Sequence, residues 1–334
     1  MQAWQVPKFG LENLCKAEIE QPKAGPLEVL VKLQAASINP RDYQIICGQF
    51  TENVDFPLVP LSDGAGVVVA VGSQVSQLAV GDRVTPLFFP NWIDGEAHGG
   101  ERSISGGLES AGVLREFGVY REHAVGKIAD HLSFTEAACL PCAGLTAYSA
   151  LVPIANIQAG DSVLIQGTGG VAIAALQFAK ALGATVIILS SSNAKLARAK
   201  QLGADHGINY IDNPNWGAEV FKLAGHGVDL VLEIGGTDTM ENSLAAIRNG
   251  GHVAIIGYVA GADMGISVFP LIIKCANLHG IATGNRETYS AMMAFIEHHT
   301  IRPEISSSYA FDDARNALEE FALGTHFGKL VIDF

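Results

Sequence analysis

The chain has 334 residues, of which 49% are hydrophobic, so it can bury a large core and is not a disordered chain. Its 21 lysines and arginines against 34 aspartates and glutamates give a net charge of −13, which disfavours nucleic acid and anionic membranes as partners. The 37 glycines exceed the roughly 7% share of an average protein and predict many turns, or backbone that approaches a ligand closely.

Five scattered cysteines do not suggest a disulfide framework, and the first residues lack the apolar run of a secretion signal. No membrane span is expected, since the longest uncharged stretch, residues 137–160, contains two prolines and polar residues. We therefore expect a cytoplasmic protein whose partner is a small molecule.

The first third of the sequence predicts a compact, barrel-like β domain. Strands are expected at residues 29–33 and 67–71, and another follows the glycine turn at 81–84. These runs are rich in β-branched residues, which strands favour, and turn residues separate them.

From about residue 160 the predicted elements alternate between strands and helices. The strands are expected at 162–166, 185–189, 206–210, 228–233 and 252–256, with helices at 171–182 and 193–202. Such alternation predicts right-handed βαβ units and a parallel sheet. The remaining chain predicts helices at 287–299 and 312–323, and a last strand at 328–334.

A glycine-rich loop joins the first strand of this alternating region to its helix. Residues 167–172 read Gly-Thr-Gly-Gly-Val-Ala and fit the G-x-G-x-x-G/A pattern. One glycine permits the tight turn, the next lets backbone approach a pyrophosphate, and the helix N-terminus offers free N–H groups. The alternative is a glycine-rich turn without a ligand. The residues predicted to bind a dinucleotide are Gly167, Thr168, Gly169, Gly170 and Val171.

The end of the second strand indicates which dinucleotide binds. NAD sites usually place an acidic residue there, on the ribose hydroxyls. Here Ser190 and Ser191 occupy this position, and no acidic residue lies between Asp161 and Asp205. Hydroxyls and a cation such as Lys195 can bind a 2′-phosphate, which an acidic side chain would repel. We predict NADP(H), the alternative being that these cations form only a solvated helix face.

Ordered motifs along nearly the whole chain resemble the medium-chain dehydrogenase/reductase superfamily, above all its zinc-independent quinone-oxidoreductase-like and alcohol-dehydrogenase-like members. The matching segments are residues 36–42, 60–72, 81–84, 140–147, 167–172, 208–210 and 326–329. The resemblance implies an α/β fold in which a Rossmann parallel-sheet domain is inserted between the parts of a GroES-like β-barrel catalytic domain. It implies 128–283 as the Rossmann domain, and 1–127 with 284–334 as the catalytic domain.

The resemblance also implies a homodimer, joined edge to edge by the strand near residues 278–282. An unpaired sheet edge is a ready site for such pairing.

Zinc-using relatives place metal ligands at the positions that hold Asn39, Ser62 and Cys142 here. A catalytic zinc needs three good protein ligands, so one thiol with an amide and a hydroxyl is a poor set. Asp63 could supply an oxygen, but it matches a position that often only supports the ligands. Residues 83–123 also lack the cysteines of a structural zinc lobe. We predict no metal.

The resemblance implies further residues around the cofactor. It places Asn39 and Thr146 beside the nicotinamide ribose, although Asn39 is equally explained as a turn residue before Pro40. The other implied cofactor contacts are Tyr210, Gly257 and Lys329.

A proton donor is harder to assign. Similar quinone reductases often have a tyrosine two residues beyond the motif aspartate, where this chain has Gln44. The catalytic candidates are therefore Asn39, Asp42 and Tyr43. Bulk water is the alternative source of the proton. The glycine-rich segment 91–112 is interpreted as a loop that covers the substrate, or as a solvated insertion.

Quinones and α,β-unsaturated carbonyls delocalise negative charge themselves and need no metal, while the cofactor carries the hydride chemistry. The leading hypothesis is therefore an NADPH-dependent oxidoreductase that transfers hydride to such acceptors without zinc. The second is an alcohol dehydrogenase or aldehyde reductase with a divergent or lost metal site. The third is an NADPH-binding regulatory or structural protein with little turnover.

Overall fold

The computed structural model describes residues 1–99, 104, 110–263 and 265–334. Contacts divide the chain into two compact units, one made of Met1–Leu145 with Gly284–Phe334 and the other of Thr146–Thr283. The first unit is thus assembled from both ends of the chain, and the second from its middle.

The described residues form strands and helices that we number in chain order. The strands are β1 (Gln2–Gln5), β2 (Cys15–Glu18), β3 (Glu28–Ser37), β4 (Asp63–Val71), β5 (Arg83–Pro86), β6 (Phe117–Arg121), β7 (Val125–Lys127), β8 (Ser162–Gln166), β9 (Thr185–Ser190), β10 (His206–Asn209), β11 (Val228–Glu233), β12 (Ile247–Ile255), β13 (Asn277–Gly280), β14 (Ile305–Ala310) and β15 (Lys329–Asp333). The helices are α1 (Pro40–Ile46), α2 (Phe134–Ala138), α3 (Leu145–Ser149), α4 (Gly170–Ala181), α5 (Asn193–Gln201), α6 (Trp216–Leu223), α7 (Met240–Ala246), α8 (Val268–Lys274), α9 (Arg286–His299) and α10 (Ala314–Ala322). Within the described part of the chain, no helix is both long and apolar enough to cross a membrane.

The first unit is built on a seven-stranded sheet with the order β14-β15-β3-β4-β5-β7, in which β6 also pairs with β3. The long strand β3 is its centre, pairing antiparallel with β4, β6 and β15. Helix α2 packs on β3 and β4, so residues 128–145, which the sequence analysis assigns to the inserted domain, make their contacts in the first unit.

The two chain segments of the first unit are joined at helix α9. Tyr289 of α9 is fully buried, and its hydroxyl lies 2.7 Å from Thr85 Oγ1 on β5. Its ring lies against Gly126 of β7, where an added Cβ would approach Tyr289 Cε1 to 2.2 Å. Only a residue without a side chain fits there, so Gly126 permits this helix to seat against the sheet.

The second unit is a six-stranded sheet with the order β10-β9-β8-β11-β12-β13, in which every neighbouring pair is parallel. This confirms the predicted Rossmann-like parallel sheet. From β8 the chain first adds β9 and β10 on one side, and then returns to add β11, β12 and β13 on the other side. The order therefore reverses between β8 and β11, and ligands of such sheets bind outside the carboxyl ends of the strands at this point.

Candidate active site

The glycine-rich loop lies at the carboxyl end of β8, beside the point where the strand order reverses. Gly167 has a φ of +76°, a left-handed conformation that favours glycine. Gly169 is the N-cap of α4, and a Cβ added there would meet nothing within 4 Å. The space before the first N–H groups of α4 is thus open, as the approach of a pyrophosphate requires.

A buried hydrogen-bond network fixes the neighbouring loop after β11. Gln166 Nε2 donates to Glu233 Oε2 at 2.7 Å, and Gln166 Oε1 accepts the N–H groups of Ile234 and Gly235, each at 3.0 Å. Glu233 Oε1 accepts from the N–H groups of Gly235 and Gly236, each at 2.9 Å. The sequence analysis missed this pair, although a polar residue ending each of two apolar strands is a signal that could have revealed it.

The residues predicted to bind the 2′-phosphate meet at the ends of β9 and β10. Ser190 Oγ accepts the N–H of Ser192, and Ser190 O accepts the N–H of Tyr210, both at 3.2 Å. Ser192 in turn caps α5 by accepting the N–H of Lys195 at 3.4 Å. Burial lowers the pKa of Lys195, which lies in the first turn of that helix. Hydroxyls and one cation are thus collected where an NAD site would carry a carboxylate.

Two further predicted cofactor residues lie elsewhere in the second unit. Thr146 Oγ1 donates to Thr283 Oγ1 at 3.5 Å. Gly257 follows β12, and an added Cβ there would lie 2.7 Å from Ile234 O, so this backbone runs close to the loop after β11.

The first unit contains a buried polar cluster formed by Asn39, Asp42, Ser62, Asp63 and Lys329, of which Asn39 is 3%, Asp63 0% and Lys329 5% exposed. The antiparallel pairing of β15 with β3 brings the C-terminal strand alongside the segment that leads into α1. The Lys329 ammonium donates to Ile38 O and to Asn39 Oδ1, both at 2.6 Å. The contact of Lys329 with the cofactor stays a prediction, and in the structure its ammonium is bound by these two oxygens of the first unit.

The Asp42 carboxylate accepts hydrogen bonds from two backbone N–H groups of this cluster. Its Oδ2 accepts the N–H of Asn39 at 2.9 Å, and its Oδ1 accepts the N–H of Ser62 at 3.0 Å. Burial raises the pKa of Asp42, although Arg41 and these hydrogen bonds act in the opposite direction. Both oxygens are engaged in fixing α1 and the chain before β4, so Asp42 positions the cluster.

Asp63 interacts with the backbone N–H of Cys142 and with the amide of Asn39. Its Oδ2 accepts the N–H of Cys142 at 3.1 Å, whereas Oδ1 and the nearby Asn39 Nδ2 are both buried and make no hydrogen bond of acceptable geometry with a described residue. Burial raises the pKa of Asp63 to about 7, while the Lys329 charge and the Asn39 amide act to lower it. The cluster thus contains three buried polar atoms without a hydrogen bond of good geometry to a described residue, Asn39 Nδ2, Ser62 Oγ and Asp63 Oδ1.

Tyr43, the other predicted proton donor, packs outside this cluster. Its ring lies 6.1 Å from the ring of Phe321, on the apolar core of the first unit. A hydrogen bond with the Cys47 side chain raises the pKa of its phenol. A catalytic role for Tyr43 stays a prediction, and its contacts in the structure do not support it.

The predicted cover at residues 91–112 lies only partly within the described residues. Residues 100–103 and 105–109 lie outside the described residues. The part before them is attached to α9, because the N–H of Arg286 donates to Trp92 O at 2.9 Å and the N–H of Glu287 donates to Ile93 O at 3.0 Å.

Two family models match the chain along the two units. Residues 25–141 match the alcohol dehydrogenase GroES-like domain, and residues 170–298 match the zinc-binding dehydrogenase domain. A zinc-type alcohol dehydrogenase-like protein of Schizosaccharomyces pombe is 38% identical, and the alignment covers 97% of this chain and 96% of that protein. The chain belongs to the medium-chain dehydrogenase/reductase superfamily.

Other members of the superfamily support the same assignment. A crystal structure of a Sinorhizobium meliloti protein described as an alcohol dehydrogenase is 39% identical, with a TM-score of 0.94 and coverage of 100% of this chain and 98% of that chain. The human quinone oxidoreductase is 28% identical over 99% of this chain and 97% of its own. As a medium-chain dehydrogenase/reductase the protein is an oxidoreductase, and the predicted GroES-like and Rossmann domains are confirmed.

Some members of this superfamily use zinc, so we tested whether the residues here fit that metal. Burial and the Asp63 carboxyl raise the pKa of the Cys142 thiol, which opposes the thiolate form that binds metal. The Lys329 ammonium lies in the same cluster and would repel a cation. Among the described residues, no group of three or more His, Cys, Asp or Glu side chains is arranged to hold a metal ion. The cluster does not fit zinc.

Proposed function

We propose that the protein is an NADPH-dependent oxidoreductase that transfers hydride to quinones or α,β-unsaturated carbonyls without zinc. The observation that carries this proposal is the Lys329 ammonium, hydrogen-bonded to Asn39 in a cluster that offers no adequate zinc ligand set. Without a metal, the acceptor must tolerate the negative charge that hydride addition creates, and conjugated carbonyls do so by delocalisation.

The preference for NADPH rests on the chain's own residues. Ser190, Ser191 and Lys195 stand where an NAD-binding relative would place a carboxylate, and Tyr210 lies beside them. A 2′-phosphate gains hydrogen bonds from hydroxyls and charge stabilisation from a lysine. The nicotinamide cofactor supplies the hydride when bound, and the open loop from Gly167 to Val171 would hold its pyrophosphate.

An alcohol dehydrogenase or aldehyde reductase is the second candidate, because the relative from S. pombe is named as zinc-type alcohol dehydrogenase-like. Reduction of simple aldehydes, or oxidation of simple alcohols, needs an electrophile such as zinc at the substrate oxygen. The buried polar cluster does not provide a ligand set for zinc, which argues against this reaction. A regulatory or structural protein that binds NADPH with little turnover is the third candidate. No feature of the described residues supports it specifically.

Two measurements test the proposed function. The first follows NADPH oxidation at 340 nm across a panel of quinones, enones and simple aldehydes, and we expect turnover with the first two classes. The second titrates NADPH and NADH by nicotinamide fluorescence, and we expect tighter binding of NADPH. Tight NADPH binding without turnover on any acceptor would favour the third candidate, and turnover restricted to aldehydes the second.

The predicted homodimer and cytoplasmic location stay predictions. In support of the dimer, β13 forms one edge of the parallel sheet, and the adjacent helix α8 carries apolar side chains that are 61–67% exposed. Those side chains are Val268, Phe269, Ile272 and Ile273. A second copy could extend the sheet at β13 and cover this face.

A further inference from the structure

Gln166 and Glu233 lie side by side at the carboxyl ends of β8 and β11, where the order of the parallel strands reverses. The Glu233 side chain is fully buried, and its two oxygens accept hydrogen bonds from the Gln166 amide, from two backbone N–H groups and from two hydroxyls. The N–H groups belong to Gly235 and Gly236, and the hydroxyls belong to Thr239 and Ser243. These partners hold the carboxylate in one position, as a buried polar group requires.

Two peptide groups connect this carboxylate to the loop after β12. The first consists of the C=O of Ile234 and the N–H of Gly235. Its N–H donates to Glu233 Oε1 at 2.9 Å, and its C=O accepts the N–H of Val259 at 3.1 Å. The next peptide group in the chain donates to the same carboxylate oxygen at 2.9 Å and accepts the N–H of Ala260 at 2.7 Å. Because hydrogen bonds in a chain polarise one another, the carboxylate strengthens both links to the second loop.

The loops after β11 and β12, residues 234–239 and 256–261, are therefore joined, and we call them the paired loops. Gly236 has a φ of +90°, and a Cβ added there would lie 2.2 Å from Gly261 O, so the two backbones are in direct contact. The same carbonyl accepts the N–H of Thr237 at 3.0 Å. The paired loops leave Tyr258 and Val259 49% and 82% exposed, which gives this end of the sheet an apolar surface.

The position of the paired loops relates them to one half of the cofactor. The proposed 2′-phosphate site, at Ser190 and Lys195, lies at the ends of β9 and β10, and the proposed pyrophosphate site follows β8. A dinucleotide crosses such a sheet at the point where the strand order reverses. The nicotinamide half therefore extends toward β11 and β12, which is the side that carries the paired loops.

We propose that Gln166 and Glu233 are positioning residues for the nicotinamide half of the cofactor. They touch no cofactor atom themselves, and they hold the paired loops in the conformation that this half of the cofactor binds. The proposal rests on the proposed function, which supplies the dinucleotide. Loosening the pair should weaken the binding of the nicotinamide half and leave the adenine half bound, because the adenine half lies on the other side of β8.

The orientation of the Gln166 amide allows a test by exchange of the two side chains. The N–H groups of Ile234 and Gly235 both donate to Gln166 Oε1 at 3.0 Å, so its Nε2 must face Glu233. Glu233→Gln leaves an NH₂ group against another donor in either orientation, and Gln166→Glu sets two carboxyl groups against each other. The exchange variant, Gln166→Glu combined with Glu233→Gln, restores one donor against one acceptor and keeps the net charge.

The matched control is Asp229→Asn, at the opposite end of the same strand. Asp229 also links β11 to β8, because its carboxylate accepts the N–H of Ser162 at 2.7 Å and the Ser162 hydroxyl at 3.1 Å. It lies at the amino ends of the strands, away from the paired loops. Calorimetry would give the Kd of NADPH and of adenosine 2′,5′-bisphosphate, a fragment that contains only the adenine half. The melting temperature and the hydrogen exchange of segment 256–261 would be measured on the same proteins.

We expect Glu233→Gln and Gln166→Glu each to weaken NADPH binding by about 10-fold and to change the Kd of the fragment by less than about twofold. Segment 256–261 should exchange faster in both variants. The exchange variant should recover most of the NADPH affinity, since its hydrogen bonds are complementary again. Asp229→Asn should lower the melting temperature and leave both Kd values unchanged.

Equal losses of affinity for NADPH and for the fragment, or unchanged affinities with a lower melting temperature, would show a purely structural pair and overturn the proposal. An exchange variant that binds NADPH no better than the single variants would also overturn it. If a single variant does not fold, the exchange variant and Ser243→Ala, which removes one hydroxyl donor from Glu233, decide the matter through the same two Kd values. A wild-type protein that binds neither ligand refutes the proposed function instead, so the two failures are distinguishable.

Discussion

Lys329 Nζ lies 2.6 Å from Asn39 Oδ1, which joins two residues 290 positions apart in the sequence. The contact forms because β15 pairs with β3 and places the start of the last strand beside the segment that enters α1. In zinc-using relatives the position of Asn39 carries a metal ligand, whereas here it carries an amide held by an ammonium. A fixed internal cation therefore lies beside the residue that the resemblance aligns with a metal ligand of those relatives.

The stability of the protein should depend on pH through Asp63. The pKa of this carboxyl is raised to about 7 in the folded state, so the folded chain keeps the proton between about pH 4 and 7 while the unfolded chain releases it. Stability from this residue is complete below pH 4 and is lost as the pH rises to 7. Asp63→Asn removes that loss and should gain stability relative to wild type by about 2–4 kcal/mol between pH 4 and pH 8.

Urea unfolding of both proteins across this pH range measures the difference. The matched control is Asp229→Asn, because the pKa of Asp229 is lowered by hydrogen bonds from Ser162 and by Arg248, against the effect of burial. Its stabilising effect is present above pH 4 and is lost below it, so that variant should lose stability relative to wild type as the pH rises. Equal pH dependence of Asp63→Asn and wild type would contradict the raised pKa.

Cofactor preference should change when an acidic residue is placed at the end of β9. Ser191→Asp should weaken NADPH binding by about 10-fold or more, because a carboxylate repels the 2′-phosphate, and should leave NADH binding unchanged or tighter. Lys195→Ala should weaken NADPH binding several-fold and leave NADH binding unchanged. Fluorescence titration of both cofactors gives these values.

Ser308→Asp is the control for the added charge, since Ser308 is exposed on β14 of the first unit. It should change neither affinity. If Ser191→Asp and Ser308→Asp bind NADPH equally well, the phosphate does not lie near β9.

The second unit was largely predictable from the sequence, because its signals are local. Strand β11 has the predicted bounds, and α4 and α5 begin within one residue of their predicted starts. Apolar runs, a glycine loop and helix-ending glycines lie next to one another in the chain. Short stretches of sequence are therefore enough to predict where these strands and helices begin and end. The parallel pairing of the strands was predicted from the alternation of strands and helices, whereas the strand order was not.

Replacement of Gly126 by alanine should destabilise the first unit. A Cβ at this position would approach the Tyr289 ring to 2.2 Å. The ring cannot move freely, because Tyr289 is fully buried and its hydroxyl is hydrogen-bonded to Thr85. We expect a loss of about 1–3 kcal/mol in the free energy of unfolding, as overpacking a core usually causes. Gly265→Ala is the control, because its added Cβ meets no atom within 4 Å. Similar melting temperatures for the two variants would contradict this contact.

The predicted dimer should separate when charge is placed on the exposed face of α8. Phe269→Asp combined with Ile272→Asp should convert a dimer into a monomer, since both side chains are 67% exposed in the single chain and have little other role in its packing. Light scattering coupled to size exclusion measures the mass. Leu323→Asp is the control, an equally apolar residue that is 72% exposed at the end of α10. A wild-type monomer would refute the dimer outright.

The buried polar cluster could be predicted only in part. Asn39, Asp42 and Lys329 were each identified, but their partners depend on the pairing of β15 with β3, which no local pattern encodes. The resemblance implied Lys329 as a cofactor contact, which stays a prediction, and its hydrogen bond to Asn39 was not foreseen. The resemblance implied only a supporting role for Asp63. Its full burial and its raised pKa arise only when α2 and β4 pack together, which no local pattern shows.

Metal content and turnover measured on one protein sample decide whether the enzyme works without zinc. The protein would be treated with a strong chelator and dialysed, zinc would be quantified by plasma mass spectrometry, and NADPH oxidation with a quinone would be followed before and after treatment. We expect less than about 0.1 zinc per chain and undiminished turnover, since the described residues around Lys329 form no zinc ligand set. One zinc per chain whose removal abolishes turnover, and whose return restores it, would refute a zinc-independent reaction.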